Sequence, residues 1–159
     1  MIVYHGSDIV IKEPKLLDTN RTLDFGRGFY TTLNERQAEV FALRVRDRNK
    51  TDMGVVNVYE ADIDLMCAQL VGIWFYEPGE DWLNYVSNNR SGIVTAQCDF
   101  AFGPVANDDV YRTFAAYQTG LLSKEETLNR LKIKKLYNQM TFKSEKALAF
   151  IKYITSYTL

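Results

Sequence analysis

Apolar and polar residues recur along the chain with two periods, and the changes of period mark its elements. Residues 2–4 form an apolar run that ends at a His-Gly-Ser corner and predicts a short buried strand. Residues 12–24 hold a proline among turn formers and predict an irregular loop. An aromatic, strand-like run follows the pair Gly26 and Gly28. Asn34 then caps a helix reaching about Arg48, because Ala38, Phe41, Ala42 and Val45 recur at helical spacing, with Arg44 and Arg48 on another side. Alternation over residues 55–63 predicts a strand. Trp82, Leu83, Tyr85 and Val86 predict an amphipathic helix over 80–89, and residues 99–102 a buried strand stopped by Gly103-Pro104. Two short helices are expected at 107–119 and 123–132. Asn107, Asp108 and Asp109 favour the first, since acidic groups suit the positive end of a helix. Ser123 and Glu126 stand at capping-box spacing in the second. Residues 138–142 predict a strand, Ser144 caps a helix of about eight residues, and the β-branched and aromatic residues of 152–159 predict a closing strand.

Strands interleaved irregularly with short helices predict the α+β class. With 159 residues the chain is read as one domain, 1–159. A domain of that size buries about 68–70% of its unfolded surface and needs no disulfide or metal staple. Hydrophobic residues at 47% and charged residues at 25% exclude a disordered chain. The net charge of −1 excludes an overall field that draws the protein onto nucleic acid or anionic lipid, while a local basic patch stays open. The single histidine, His5, and the two cysteines, Cys67 and Cys98, exclude a His-rich zinc site, an all-cysteine zinc site and a multi-disulfide scaffold. No metal is expected. Residues 1–6 carry no basic leader, and no apolar run approaches the roughly 18 residues of a membrane span. The expected setting is a reducing cytoplasm, with the two thiols unbridged.

Three short segments carry candidate chemistry. His5 stands at a strand end before a loop, where site residues gather, and Gly6 beside it lets a ligand or another backbone approach closely. Gly26-Arg27-Gly28-Phe29-Tyr30 is no dinucleotide fingerprint, because it has no preceding strand and no third glycine. It reads either as a glycine bulge before a core strand or as an aromatic platform for a flat ring. Tyr137-Asn138-Gln139 taken alone is an ordinary strand with an amide side chain. Neither cysteine has a histidine near it in sequence, so Cys–His catalysis is not expected.

Taken in order, Tyr4-His5-Gly6-Ser7, Gly26-Arg27-Gly28-Phe29-Tyr30 and Tyr137-Asn138-Gln139 resemble the ADP-ribosyltransferase fold. They look like its diphtheria-toxin and poly-ADP-ribose polymerase branch, with a His–Tyr–Glu triad. Over its whole length, including residues 99–109, the chain also resembles a bacterial family of small ADP-ribosyltransferase-like proteins. Members of that family are regarded as toxins of toxin–antitoxin pairs. The resemblance implies two small packed β-sheets with peripheral helices. It further implies mono-ADP-ribosylation: cleavage of the nicotinamide–ribose bond of NAD and transfer of ADP-ribose to an acceptor. NAD is then a substrate, and a small antitoxin protein is the implied partner. The acceptor stays open between protein, nucleic acid and small molecule.

The resemblance assigns roles residue by residue. Gly6 holds the nicotinamide carboxamide through its backbone, and His5 bonds a ribose hydroxyl with Ser7 assisting. Tyr30, beside Gly28, stacks on the nicotinamide ring, and Phe41 is placed to close a sandwich or to pack in the core. Arg27 is assigned to the pyrophosphate as a charge-assisted donor. The departure is Gln139, which occupies the glutamate position. Glutamine still accepts a hydrogen bond from a ribose hydroxyl but carries no charge and is no general base. Asp108, Asp109 and Glu145 are candidates for the missing carboxylate, against a plainer reading as helix-terminal charges. A Gln139→Glu substitution is expected to raise NAD cleavage if charge alone is missing. The same fold without turnover, as an NAD- or ADP-ribose-binding module or an interaction protein, is the alternative.

Overall fold

The computed structural model describes residues 1–17, 23–93, 96–105, 108–132 and 136–159. In chain order the elements are β1 (Ile2–Ser7), β2 (Phe29–Thr32), α1 (Glu35–Asn49), β3 (Val55–Ala61), α2 (Ile63–Gln69), β4 (Gly72–Trp74) and α3 (Glu80–Arg90). They continue with β5 (Phe100–Pro104), α4 (Asp108–Gln118), α5 (Lys124–Lys132), β6 (Asn138–Phe142), α6 (Glu145–Leu148) and β7 (Ile151–Thr158). The expected caps form. Asn34 Oδ1 accepts from Gln37 N–H at 2.9 Å at the start of α1. Ser123 N–H donates to Glu126 Oε2 at 2.9 Å while Glu126 N–H donates to Ser123 Oγ at 3.2 Å, so two terminal N–H groups of α5 are satisfied reciprocally.

The architecture is mixed α/β around one sheet of order β4-β5-β6-β2-β1-β3-β7, parallel only between β4 and β5. The expectation of two separate packed sheets is corrected here, since a continuous order of seven strands joins both halves. The join is narrow. β1 and β3 share six register pairs from Ile2↔Glu60 to Ser7↔Val55, whereas β1 and β2 share one, Tyr4↔Thr32. Next to that pair, His5 Nδ1 lies 2.7 Å from the Tyr30 carbonyl. A side chain there takes an acceptor that a strand ladder would have used, and the ladder ends.

Side-chain alternation splits the core. Phe100 and Phe102 of β5, Met140 and Phe142 of β6 and Phe29 of β2 enter one cluster with Val3, Tyr59 and Met66. Ala101 of β5 belongs to a second cluster with Phe25, Trp82, Leu83, Val86 and Phe114. Ala38 and Ala42 of α1 pack on Val56 and Val58 of β3 in a third. Trp82 and Tyr85 are buried, as read from the helix pattern.

Several boundaries differ from expectation for local reasons. β5 runs on through Gly103-Pro104: Pro104 lacks an N–H, yet it stays in register with Asn138 and its carbonyl accepts from Trp82 Nε1 at 3.0 Å. α6 has four residues, because Phe150 N–H already turns back to the Ala147 carbonyl and β7 begins at Ile151. α2 and β4 were not foreseen. α2 spans seven residues with one buried side chain, Met66, and β4 spans three, too short to establish a period. Both cysteines are free, Cys67 exposed and Cys98 partly buried. Among the described residues no helix is long and apolar enough to cross a membrane.

Candidate functional site

The narrow seam between β1 and β2 adjoins a cavity of about 690 Å³. That lies inside the roughly 300–1,000 Å³ of pockets that hold small molecules and cofactors. Of the residues singled out above, His5, Gly6, Gly28, Tyr30, Phe41 and Gln139 all line it. The expected corner at His5 is instead continuous strand, since β1 runs to Ser7 in register with β3. The second half of β1, the start of β2, one side of α1 and the start of β6 are brought together because β2 lies between β1 and β6.

His5 is partly buried and stacks on Phe29, with ring centroids 4.5 Å apart and an interplanar angle of 28°. Burial lowers its pKa from the ordinary value, more than the bond to the Tyr30 carbonyl raises it. The imidazole is therefore neutral near pH 7. A carbonyl only accepts, so the proton sits on Nδ1 and Nε2 keeps its lone pair as an acceptor. A group in this state binds a ligand hydroxyl or N–H; it holds no positive charge to offer an anion.

Gly6 has a structural reason of its own. A Cβ built there would stand 2.3 Å from Ala38 O and 2.7 Å from Ala42 N, both backbone atoms of α1. The missing side chain lets the helix settle onto β1. Gly28 plays the same part against β6, where a Cβ would stand 2.5 Å from Thr141 Cγ2 and 2.8 Å from Phe142 O.

Tyr30 is held by its hydroxyl, which donates to the Gly26 carbonyl at 2.6 Å and accepts from Phe25 N–H at 3.0 Å. Burial drives its pKa far above the ordinary phenol value, so it remains protonated. The residue thus latches the loop before β2 while also lining the cavity. Lys143 fixes the same loop from the other side, donating to the Phe25 carbonyl and to Tyr85 Oη, the latter at 3.1 Å. Burial lowers the pKa of this amine.

Phe41 is 50% exposed at the cavity, so it is not a core residue, whereas Ala38, Ala42 and Val45 of the same helix are buried. Two predicted residues lie elsewhere. Ser7 is buried and bonds locally, donating to Asp8 Oδ1 and accepting from Ile9 N–H. Arg27 lines a different depression of about 750 Å³, with Cys98, Asp99 and Lys143, and donates to the Leu16 carbonyl at 3.3 Å.

Gln139 lies opposite Thr32 on one side and Gly103 on the other, and it is 6% exposed. Its Nε2 is buried with no hydrogen-bond partner among the described residues. The adjacent hydroxyl of Thr32 is engaged with Gln37 Oε1 at 2.6 Å and with Asn34 N–H at 3.1 Å.

The cavity also recruits residues not singled out for it above. Arg48 was set on another side of the helix from Phe41, but Gln37, Phe41 and Arg48 follow one another along α1 at four and seven residues, one stripe of the helix. Arg48 and Lys15 bring exposed positive charge. Asp24 is paired with Arg90 at 2.5 Å, leaving Glu13 as the other lining carboxylate among the described residues. The spacing of Arg48 from Phe41 was the available signal. Nothing in the sequence placed Lys15 or Glu13. Glu145 is exposed in α6 and does not line the cavity. Asn107 and the side chains of Asp108 and Asp109 lie outside the described residues. No group of three or more metal-ligating side chains occurs among the described residues.

Comparison with curated proteins and with solved structures finds no match in either. The family model described as "Protein of unknown function (DUF3990)" matches residues 1–153, nearly the full length, and the chain belongs to that family.

Proposed function

We propose that the protein is an NAD-dependent mono-ADP-ribosyltransferase whose site is the cavity beside the β1–β2 seam. The observation that carries this reading is convergence: three segments far apart in sequence, each weak alone, supply His5 and Gly6, Gly28 and Tyr30, and Gln139 to one cavity. The donor set suits the substrate. Neutral His5 offers Nε2 to a sugar hydroxyl, Tyr30 and half-exposed Phe41 offer aromatic surface to a flat heterocycle, and buried Gln139 offers an unpaired amide. Arg48 and Lys15 replace Arg27 as the cations that meet the pyrophosphate. NAD supplies the scissile nicotinamide–ribose bond and its own leaving group. The protein's part is to grip both ends and hold water out. Finer assignment to the ADP-ribosyltransferase fold, and a toxin role balanced by a small antitoxin, rest on the sequence resemblance.

One observation favours a second reading, a module that holds NAD or ADP-ribose without turnover: the amide at Gln139 cannot counter a developing cation with charge. Incubation of the protein with NAD, with and without a bacterial lysate as acceptor source, separates the two. Release of free nicotinamide by the wild-type protein, lost in Tyr30→Ala, is the expected result. No release above background in either condition overturns the enzyme reading, and calorimetric binding of NAD under the same conditions then supports the module.

A further inference from the structure

We propose that Gln139 acts as a hydrogen-bond donor to an oxygen of the bound ligand, and that its lack of charge is a specificity feature of this site. The inference rests on the NAD reading of the cavity for the identity of its probe. Four observations lead to it. Gln139 lines the cavity. Its side chain is more than nine-tenths buried. Its Nε2 meets no partner among the described residues, although buried N–H groups in folded proteins nearly always have one. The hydroxyl of Thr32, its register partner on β2, is committed to Gln37 and Asn34. An unpaired buried donor in a residue that lines the cavity is completed by an acceptor that arrives with the ligand.

His5 presents the opposite sense, because its Nδ1 proton is given to Tyr30 O and its Nε2 is an acceptor. The cavity therefore offers one neutral acceptor and one neutral donor. The ligand class that answers both is a polyhydroxyl ring, whose oxygens donate and accept at neighbouring positions, as the sugars of a dinucleotide do. A carboxylate at position 139 would present acceptors only, and would reverse the sense of that contact.

The test is titration calorimetry of NAD into wild-type protein, Gln139→Glu and Gln139→Met at pH 8, with circular dichroism confirming that each variant folds. Wild-type protein is expected to bind, and both variants to bind roughly tenfold more weakly or worse. A buried glutamic acid regains a proton readily and its O–H then donates. Affinity of Gln139→Glu relative to wild type is therefore expected to recover as the pH is lowered toward about 5.5, while that of Gln139→Met stays flat. This pH profile is one that a purely structural amide does not produce. Equal binding by Gln139→Met overturns the inference, because the amide is then satisfied within the protein, by water for example. Tighter binding by Gln139→Glu at pH 8 also overturns it, showing that the site needs an acceptor and a charge. Failure of the wild-type protein to bind NAD overturns the NAD reading and this inference with it, and is distinct from either variant result.

Discussion

The two borders of β1 are built in opposite ways. On the β3 side six consecutive residues are in register, and α1 lies so close over the strand that Gly6 has no room for a Cβ. On the β2 side one pair is in register, and the next contact is made by the His5 side chain with the Tyr30 carbonyl. The first border is a regular ladder closed by a packed helix. Beside the second, a cavity is lined by His5 and by Gln139, whose Nε2 has no hydrogen-bond partner among the described residues. Both lie in one sheet, so a rigid ladder holds the incomplete one in place, which is the arrangement a binding site requires.

The closed border is broken most severely at Gly6. In Gly6→Val the new Cβ collides with backbone atoms of Ala38 and Ala42, which cannot move without shifting α1. A loss of about 3 kcal/mol or more is expected, seen as a thermal midpoint lower by about 6–12 °C. A midpoint within about 2 °C of wild type would show that the helix is not seated as tightly as the contacts imply. The open border responds less. Tyr30→Phe keeps the ring and removes the hydroxyl shared by Phe25 N–H and the Gly26 carbonyl, costing about 1–2 kcal/mol. Faster amide exchange confined to Phe25 and its neighbours is the accompanying sign; a uniform rise across β1 and β3 would contradict the local latch.

The same contrast explains what the sequence made legible. Long periodic segments were readable because their signals are local: α1 with its Asn34 cap, α3 with Trp82 and Val86, and the alternation of β3. The residues His5, Tyr30 and Gln139 were readable as an ordered set, since their order survives without knowledge of how strands pair. Pairing itself was not. Whether the halves form two sheets or one depends on the single pair Tyr4↔Thr32, for which no pattern exists in the chain. Gly6 was read as room for a ligand or another backbone, and that the backbone is the one of α1 is a long-range packing fact. Arg27 was assigned to the pyrophosphate as a charge-assisted donor, but it lines the other depression, while Arg48 reaches the cavity from one helix stripe.

Protonation separates the borders more gently. His5 is the chain's one histidine, so no other side chain has its ordinary titration near pH 6.5. Its folded pKa is lowered by burial, so below about 6.5 the unfolded chain binds a proton that the folded chain resists. Stability is then full above about 6.5 and declines as the pH falls toward the folded-state value. Urea midpoints measured from pH 8 down to pH 5.5 are expected to show this slope in wild-type protein and to lose it in His5→Gln. An unchanged slope in the variant would place the titrating group elsewhere.

The smallest stability effect and the sharpest functional one are expected together at Arg48. It is exposed at the end of α1, and its Nε contacts Asn49 Oδ1 at 3.5 Å, a distance at which little energy is held. Arg48→Ala is therefore expected to leave the thermal midpoint unchanged within about 2 °C. If the cavity receives a pyrophosphate, the same change weakens NAD binding several-fold at low salt, and the difference from wild type shrinks as ionic strength rises and screens the charge. Arg27→Ala, made in the other depression, is the matched control and is expected to leave NAD affinity alone. If Arg27→Ala weakens binding and Arg48→Ala does not, the phosphates run past the loop before β2 instead of along α1. The seam would then be only one end of a longer site.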